Sequence, residues 1–518
     1  MISISPQALG LPERYSKLRT GQENALHALL SSPKRVTCLA APTGFGKSLI
    51  NVIIALASGK RTCILTTTRG LQDQYLDMFP GVGLADIRGR DNYACELKPD
   101  YSCTEGKAVR CPYWGSVACP ASQAEMRIRS SNLGISSYAK WTSTRKYGGC
   151  LDGFEQLILD ECHQAEPELV SAVQVVLHHH EVEEIIKVPF LNGEAAQSFP
   201  NWKSWAQSAR IACEDACVAA RAKIDVPDAK PTWVRAYTHL TNLLTRIATI
   251  ALANPKDWVC DETEDGWQFD PIRPARYAEF MLFCKIPRII LGSATARPKT
   301  LNLLGFYQDR FDFYEYPSEF DPSRCPTYHV PTMRMDHRQE DYSPLYLKID
   351  QILNRRGDRK GIVHTVSWKR RDEILACSRY RDRMMANDKG EPPTQAIEDF
   401  QAAPPPAVLV SPSVSTGYDF AGPMAEYQII TKIPFPDGRS KIAKARQEAD
   451  KDYGPYQAMQ GLVQTVGRIM RSKEDRGESY VLDDHIEWFA PRFGHFAPKS
   501  FGQFFKQVVS LPSPPPKL

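Results

Sequence analysis

No apolar run in this 518-residue chain approaches the roughly 20 residues that a membrane-spanning helix requires, which excludes a helical membrane protein. The opening residues, Met1-Ile-Ser-Ile-Ser-Pro6, lack a basic region followed by an apolar stretch, so no export signal is expected and the setting is cytoplasmic. Neither charge sign dominates. A formal net charge of +4 announces no polyanion binder, since such binding needs a local basic track rather than a global excess. The 14 cysteines include no C-x-x-C pair, the usual mark of a zinc ribbon, and a reducing compartment disfavours disulfides. Cys38, Cys63 and Cys284 sit in apolar strings and are expected to be small buried side chains. No internal repeat is visible.

At this length one compact core is too small a solution, and two to four domains are expected. Arg35–Ala40, Thr62–Thr67 and Gln156–Leu159 read as short buried strands, with a helix over Lys47–Ala57 after the first. Strands alternating with helices predict a parallel sheet with its ligand at the strands' C-terminal ends. From Glu166 to Asn254 the pattern changes to helices without strands. Strand-like runs return at Ile286–Leu291, Gly361–His364, Ala407–Val410 and Tyr427–Thr431, and the last three suggest a second α/β domain. His178-His179-His180 has metal-ligating side chains, but three adjacent residues on a helix point different ways, which favours a partly solvated face.

Three strings carry chemistry. Ala41-Pro-Thr-Gly-Phe-Gly-Lys-Ser48 lies between a strand and a helix. Gly44 and Gly46 let backbone amides wrap phosphates, with Thr43 and Phe45 beside them. Lys47 supplies a charge for the β and γ phosphates, and Ser48 a magnesium ligand. Leu157-Ile-Leu-Asp-Glu-Cys-His163 ends an apolar strand in paired acids, Asp160 to hold the metal and Glu161 to polarise water. In Gln464-Thr-Val-Gly-Arg-Ile-Met-Arg471, Gln464, Arg468 and Arg471 share one face if the segment is helical, and the arginines could stabilise transition-state charge across a domain cleft. Together they predict an ATP site with magnesium.

Between the first two strings stand Cys95, Cys103, Cys111 and Cys119, with seven residues in every interval. Four thiolates can hold an iron–sulfur cluster or zinc, or can stay unligated. The spacing disfavours zinc without excluding it. Arg88, Arg90, Lys98, Lys107, Arg110, Arg127 and Arg129 lie nearby, interleaved with Tyr93, Tyr101, Tyr113 and Trp114. Cations for phosphates and aromatic faces for bases are what single-stranded nucleic acid needs.

The order of these strings resembles the superfamily 2 helicases. Arg19-Thr-Gly-Gln22 is similar to the adenine-reading Q motif, Thr66-Thr-Thr-Arg-Gly-Leu-Gln72 to motif Ia, and Asp160-Glu-Cys-His163 to the DEAH box with Cys162 in place of alanine. Gly292-Ser-Ala-Thr-Ala296 resembles motif III, and Val414-Ser-Thr-Gly-Tyr-Asp-Phe420 motif V with Gly417 and Asp419 as nucleotide contacts. Gly89-Arg-Asp-Asn-Tyr-Ala-Cys95 and Lys432-Ile-Pro-Phe-Pro436 resemble segments of the XPD/DinG group.

That resemblance implies an α/β protein of two RecA-like motor domains, with an inserted [4Fe–4S] cysteine domain and an inserted helical arch. The expected division is 1–88, 133–165 and 263–310 for the first motor domain, 89–132 for the cysteine insertion, 166–262 for the arch and 311–518 for the second motor domain. It implies a monomeric, ATP-dependent helicase moving 5′→3′ on single-stranded DNA and opening forked duplex, with RNA–DNA hybrid as a second substrate class. The setting is then the nucleoid or, for a phage-encoded chain, the host cytoplasm. The rivals are a translocase that remodels nucleoprotein without processive unwinding and a nucleic-acid-binding scaffold with a silent ATPase. Intact Lys47, Asp160, Glu161 and Arg468 count against silence. A small-molecule P-loop kinase leaves the second domain and the cysteines unexplained.

Overall fold

A computed structural model describes residues 5–98, 100–147, 151–226, 229–318, 321–336, 338–414, 418, 420, 422–470, 474–508 and 511–512. Its framework is two seven-stranded sheets, each parallel throughout. The first runs, edge to edge, Phe311–Glu315, Val36–Ala40, Arg288–Ser293, Gln156–Asp160, Thr62–Thr66, Leu133–Ser137 and Leu84–Ile87. Its central strands Val36–Ala40 and Gln156–Asp160 are buried along their whole length, as their mostly apolar interiors (Cys38-Leu39-Ala40 and Leu157-Ile158-Leu159) require when helices cover both faces. The helix Lys47–Ala57 buries seven consecutive residues, Leu49 to Ala55, and sits inside the core.

The second sheet runs Met384–Met385, Val408–Ser411, Gly361–His364, Tyr427–Ile430, Glu478–Asp483, Thr327–Met333 and Phe505–Gln507. The expected second α/β domain is therefore present. Two expected boundaries move. Phe311–Glu315 pairs with Val36–Ala40, so the first domain continues past 310. The segment expected to hold helices without strands contains the strand Val175–His178, which pairs antiparallel with Gly266–Pro271, itself paired with Trp258–Thr263. The second insertion therefore runs past 262. A four-residue strand leaves almost no periodicity to read, and its partner lies about 90 residues away, so only pairing defines it.

Trp202 is fully buried at the base of this insertion among Trp205, Trp267 and Phe269. Two long helices, Phe199–Ile224 and Pro231–Leu252, rise from it and reach the cysteine segment. Arg235 pairs with Glu105 at 2.8 Å, and Arg221 donates to the Ala108 carbonyl at 2.7 Å. Ile224, Ala229 and Val234 pack with Cys95 and Tyr101. The two domains meet where Lys299 pairs with Asp450 at 2.7 Å and the Thr300 and Tyr456 hydroxyls lie 2.7 Å apart.

Candidate nucleotide site and cysteine insertion

The register of the first sheet gathers the site. Ala40 lies beside Ser293, and Asp160 beside Gly292, so the loop after Ala40, the paired acids and Ser293 share one edge. In the loop, Gly44 and Gly46 take φ of 77° and 88°, where side-chain-bearing residues are strained. At Gly46 a Cβ would lie 2.4 Å from Gln22 Nε2. Gln22 Nε2 donates to the Phe45 carbonyl at 2.8 Å, and Arg19 donates to the Gly44 carbonyl at 2.9 Å and that of Phe45 at 2.5 Å. The Arg19–Gln22 segment thus braces the loop. Lys47 donates to the carbonyls of Ala41 and Pro42 at 3.2 and 3.4 Å, which aims its ammonium into the loop's hollow.

Asp160 is buried. One carboxylate oxygen accepts from the Glu161 amide at 3.1 Å, the other from the Tyr75 hydroxyl at 2.9 Å. Glu161 stands in the left-handed region at φ 48° and accepts from Ser293 Oγ at 3.3 Å. His163 Nδ1 lies 2.7 Å from Ser293 Oγ and 3.3 Å from Glu161 Oε2, so the three side chains form one polar cluster. Burial and the adjoining Glu161 charge hold the Asp160 carboxyl above its ordinary range, against the pull of Lys47 and the Tyr75 bond. Burial also opposes ionisation of Glu161, but the His163 hydrogen bond and the Lys47 charge outweigh it and hold that group low. Environments that push neighbouring acids apart assign roles. Glu161 is thereby held ionised, and Asp160 is a buried oxygen donor that an adjacent cation would keep ionised. Ser48 and Asp160 offer hard oxygens, the donor set that suits magnesium.

Across the cleft, the helix Tyr453–Val466 carries Gln464. Arg468 is not on that helix, contrary to the expected shared face. The α-helix ends at Val466, and Arg468 stands on the tight turn Gly467–Ile469, donating to the Tyr418 carbonyl at 2.8 Å. Glycine's poor helix propensity at 467 accounts for the break. A cavity of about 550 Å³ is lined by Thr43, Glu161 and His163 on one side and by Gln464, Gly467 and Arg468 on the other. Arg471, Gly417 and Asp419 lie outside the described residues. Tyr75, which bonds Asp160, and Asn51, which bonds Tyr75, are not among the expected site residues; no local pattern marks them.

In the cysteine insertion Cys95, Cys103 and Cys119 are buried and Cys111 half-buried. A Cβ on Gly106 would stand 2.9 Å from Cys95 Sγ and 3.8 Å from Cys111 Cβ, so glycine keeps this space open. Burial, with Cys119 and Cys95 beside it, pushes the Cys103 thiol up to about 11 against the pull of Arg90. No three of the four sulfurs lie within 4.8 Å of one another. The helix Cys103–Ala108 starts with a reciprocal cap, Ser102 and Glu105 each accepting from the other's amide. Several cations expected to face a ligand are engaged within the fold. Arg88 pairs with Asp73 and Asp86, while Arg90 and Lys107 lie over the Trp114 ring.

The histidine run is partly solvated as expected, with His179 and His180 exposed and His178 half-buried, although two of its rings come together. His178 and His180 stack, and among the described residues His180, Glu181 and His239 form the group of three whose ligand atoms lie within 4.8 Å. Glu181 is already bound by Arg246 at 2.9 and 2.5 Å and by the His178 amide at 3.2 Å, so its oxygens are committed. Cys38 and Cys63 are buried as expected, whereas Cys284 is only half-buried.

Residues 19–184 match the DEAD/DEAH box helicase family, and residues 358–502 match the helicase C-terminal domain. The chain is similar to the ATP-dependent DNA helicase DinG of Photobacterium profundum, at 24% identity over 242 residues. That match covers 42% of this chain and spans only 35% of the relative's length. Among solved structures, an XPD helicase superimposes with a TM-score of 0.67 at 13% identity, covering 95% of this chain and 100% of that one. Xpd4 of S. tokodaii does so with a TM-score of 0.59, 13% identity and the same coverage. At such identities the superpositions establish a shared fold.

Proposed function

Since the chain belongs to the XPD/DinG-like group of superfamily 2 helicases, we propose that it is an ATP-driven DNA helicase that moves 5′→3′ on single-stranded DNA and opens forked duplex. The observation that carries this reading is the cavity between the domains, where Thr43 and Glu161 face Gln464 and Arg468. A site divided between two bodies is loaded and discharged by their relative movement, which is what a motor needs.

Thr43 to Ser48 would wrap the phosphates, and Arg19 and Gln22, which brace the loop, would read the adenine. Lys47 exchanges the carbonyls of Ala41 and Pro42 for the β and γ phosphates. Ser48 and Asp160 would hold magnesium, which when bound would neutralise phosphate charge. Glu161, kept ionised beside Ser293 and His163, orients water and takes its proton. Gln464 and Arg468, with Arg471, stabilise charge spreading onto the γ phosphate, and Gly417 and Asp419 complete the nucleotide contacts from the second domain.

We assign Cys95, Cys103, Cys111 and Cys119 to a [4Fe–4S] cluster. Tetrahedral zinc with bonds of about 2.3 Å needs sulfurs about 3.8 Å apart. The close approach of Cys95 and Cys111 to Gly106, where a Cβ would intrude, and the Cys119 and Cys95 thiols beside Cys103 support one group held among the four. Binding either one must deprotonate Cys103. The cluster insertion and the arch, docked through Glu105 and Arg235, then form one wall along the DNA. Among the described residues no helix is long and apolar enough to cross a membrane, and the proposed setting is the cytoplasm, as a monomer.

Lys47→Ala should lower DNA-stimulated ATP hydrolysis by about 100-fold or more, and only a fork with a 5′ tail should be opened. Unchanged hydrolysis would sink the motor reading, and efficient opening of a 3′-tailed fork the polarity. Preference for RNA–DNA hybrid, or protein displacement without unwinding, would shift the substrate to the alternatives above.

A further inference from the structure

Behind Asp160 lies a buried relay that the expected site does not contain. Asn51, on the helix that begins with Lys47, donates from Nδ2 to the Tyr75 hydroxyl at 2.9 Å. Tyr75 in turn donates to Asp160 Oδ2 at 2.9 Å. All three side chains are buried, at 1%, 1% and 4% exposure, so no water competes for these bonds. Tyr75 comes from the helix Arg69–Met78, whose first turn, with Thr68 and Leu71, lines the cavity between the domains. The relay joins the phosphate-loop helix, a cavity-lining helix and the strand that ends in the paired acids.

The chemistry is directional. A carboxylate with one oxygen held by a phenol and the other by the Glu161 amide cannot rotate freely, so its remaining lone pairs keep a set orientation. A phenylalanine would fill the same space with no donor, leaving Asn51 Nδ2 and Asp160 Oδ2 without partners in a dry site. We propose that Tyr75 is a positioning residue for the divalent cation: its hydroxyl, held by Asn51, orients Asp160 toward the metal that accompanies the nucleotide. The proposal rests on the nucleotide-site reading above and adds to it a residue that touches neither nucleotide nor metal. Groups that orient a metal ligand typically change metal affinity by about 10–100-fold when removed.

The test is equilibrium binding of a fluorescent ATP analogue to the full chain, titrated with Mg²⁺ or held in EDTA. Tyr75→Phe should raise half-saturating Mg²⁺ by about tenfold, while affinity in EDTA stays within about twofold. The fully loaded variant should recover most of the parent's hydrolysis rate. An unchanged Mg²⁺ requirement overturns the proposal, and so does an equal loss of affinity in both arms, which would mark a merely structural role. If Tyr75→Phe does not fold, Asn51→Ser decides, since it frees the phenol to turn away and should shift the Mg²⁺ requirement in the same direction by a smaller factor. A parent protein that binds no ATP analogue in either arm would instead overturn the nucleotide-site reading, and the role of Tyr75 with it.

Discussion

The two parallel sheets have the same number of strands but spend their polar groups differently. In the first, polar residues at the strand ends are linked to one another beside the cleft: Asp160 accepts from the Glu161 amide, Ser293 bonds Glu161 and His163, and of these Glu161 and His163 line the cavity. In the second, they are used inside the domain. Gln428 bonds His364 at 3.0 Å, Ser479 at 2.8 Å and the Val466 carbonyl at 3.1 Å, which anchors the end of the helix bearing Gln464 just before the Arg468 turn. Burial pushes His364 down to about 4, so it stays neutral within this network. On the proposed reading the first sheet would build the nucleotide site, and the second would present Arg468 from across the cavity. Binding and hydrolysis should therefore be separable.

Arg468→Ala is the strongest way to break that comparison. It should lower kcat by about 1,000-fold, the order attributed to an arginine acting on a transferring phosphoryl group, with ATP-analogue affinity within about threefold. If affinity falls as far as kcat, Arg468 also holds the bound nucleotide, and the division fails.

A smaller effect is expected from Cys103→Ser. It should remove visible absorbance and reduce strand opening by roughly tenfold, because a lost ligand loosens the insertion, while ATP affinity remains that of the parent. Retained colour, or a colourless parent containing zinc, would refute the iron–sulfur assignment. Coupled loss of ATP affinity would show that the first domain depends on its insertion.

The smallest effect concerns the contact between the domains. Glu166 is buried, and burial first, then Asp270, pushes it up to about 7 against Arg446 and Gln457; Arg446 is itself paired with Asp270 at 2.7 Å. An acid raised in the folded state holds a proton that the unfolded chain releases near pH ~4.3. Its stabilising contribution is complete below that value and is lost as pH rises through about 7. Glu166→Gln should thus melt above the parent at pH 8.5, by the equivalent of ~1–3 kcal/mol, and together with it near pH 4. A pH-independent difference would mean that Glu166 carries no such proton.

Much of this was legible along the chain. The helix Lys47–Ala57 has the expected ends, because a glycine in a left-handed conformation before it and a polar Ser58 after it are local signals. The strands Gly361–His364 and Tyr427–Ile430 stand where apolar runs placed them. The misses share a cause. Val175–His178 is a strand only because Gly266–Pro271 pairs with it, and Phe311–Glu315 belongs to the first sheet only because Val36–Ala40 accepts it. Arg88 was a cation beside a cysteine cluster in sequence, and the fold gives it Asp73 and Asp86.

By itself the sequence determined the chemistry available: a glycine loop with Lys47 and Ser48, two adjacent acids after an apolar strand, two arginines near the far end, and four evenly spaced thiols. These are properties of residue type and short-range spacing, which steric and hydrogen-bonding rules fix over a few residues. Only the tertiary structure decided which groups act on one another. Tyr75 reaches Asp160 across 85 residues of chain, and Arg468 faces Glu161 only because two separate sheets close on one cavity. Such contacts depend on how buried surfaces pack, and packing is a property of the whole chain that no short stretch of it encodes.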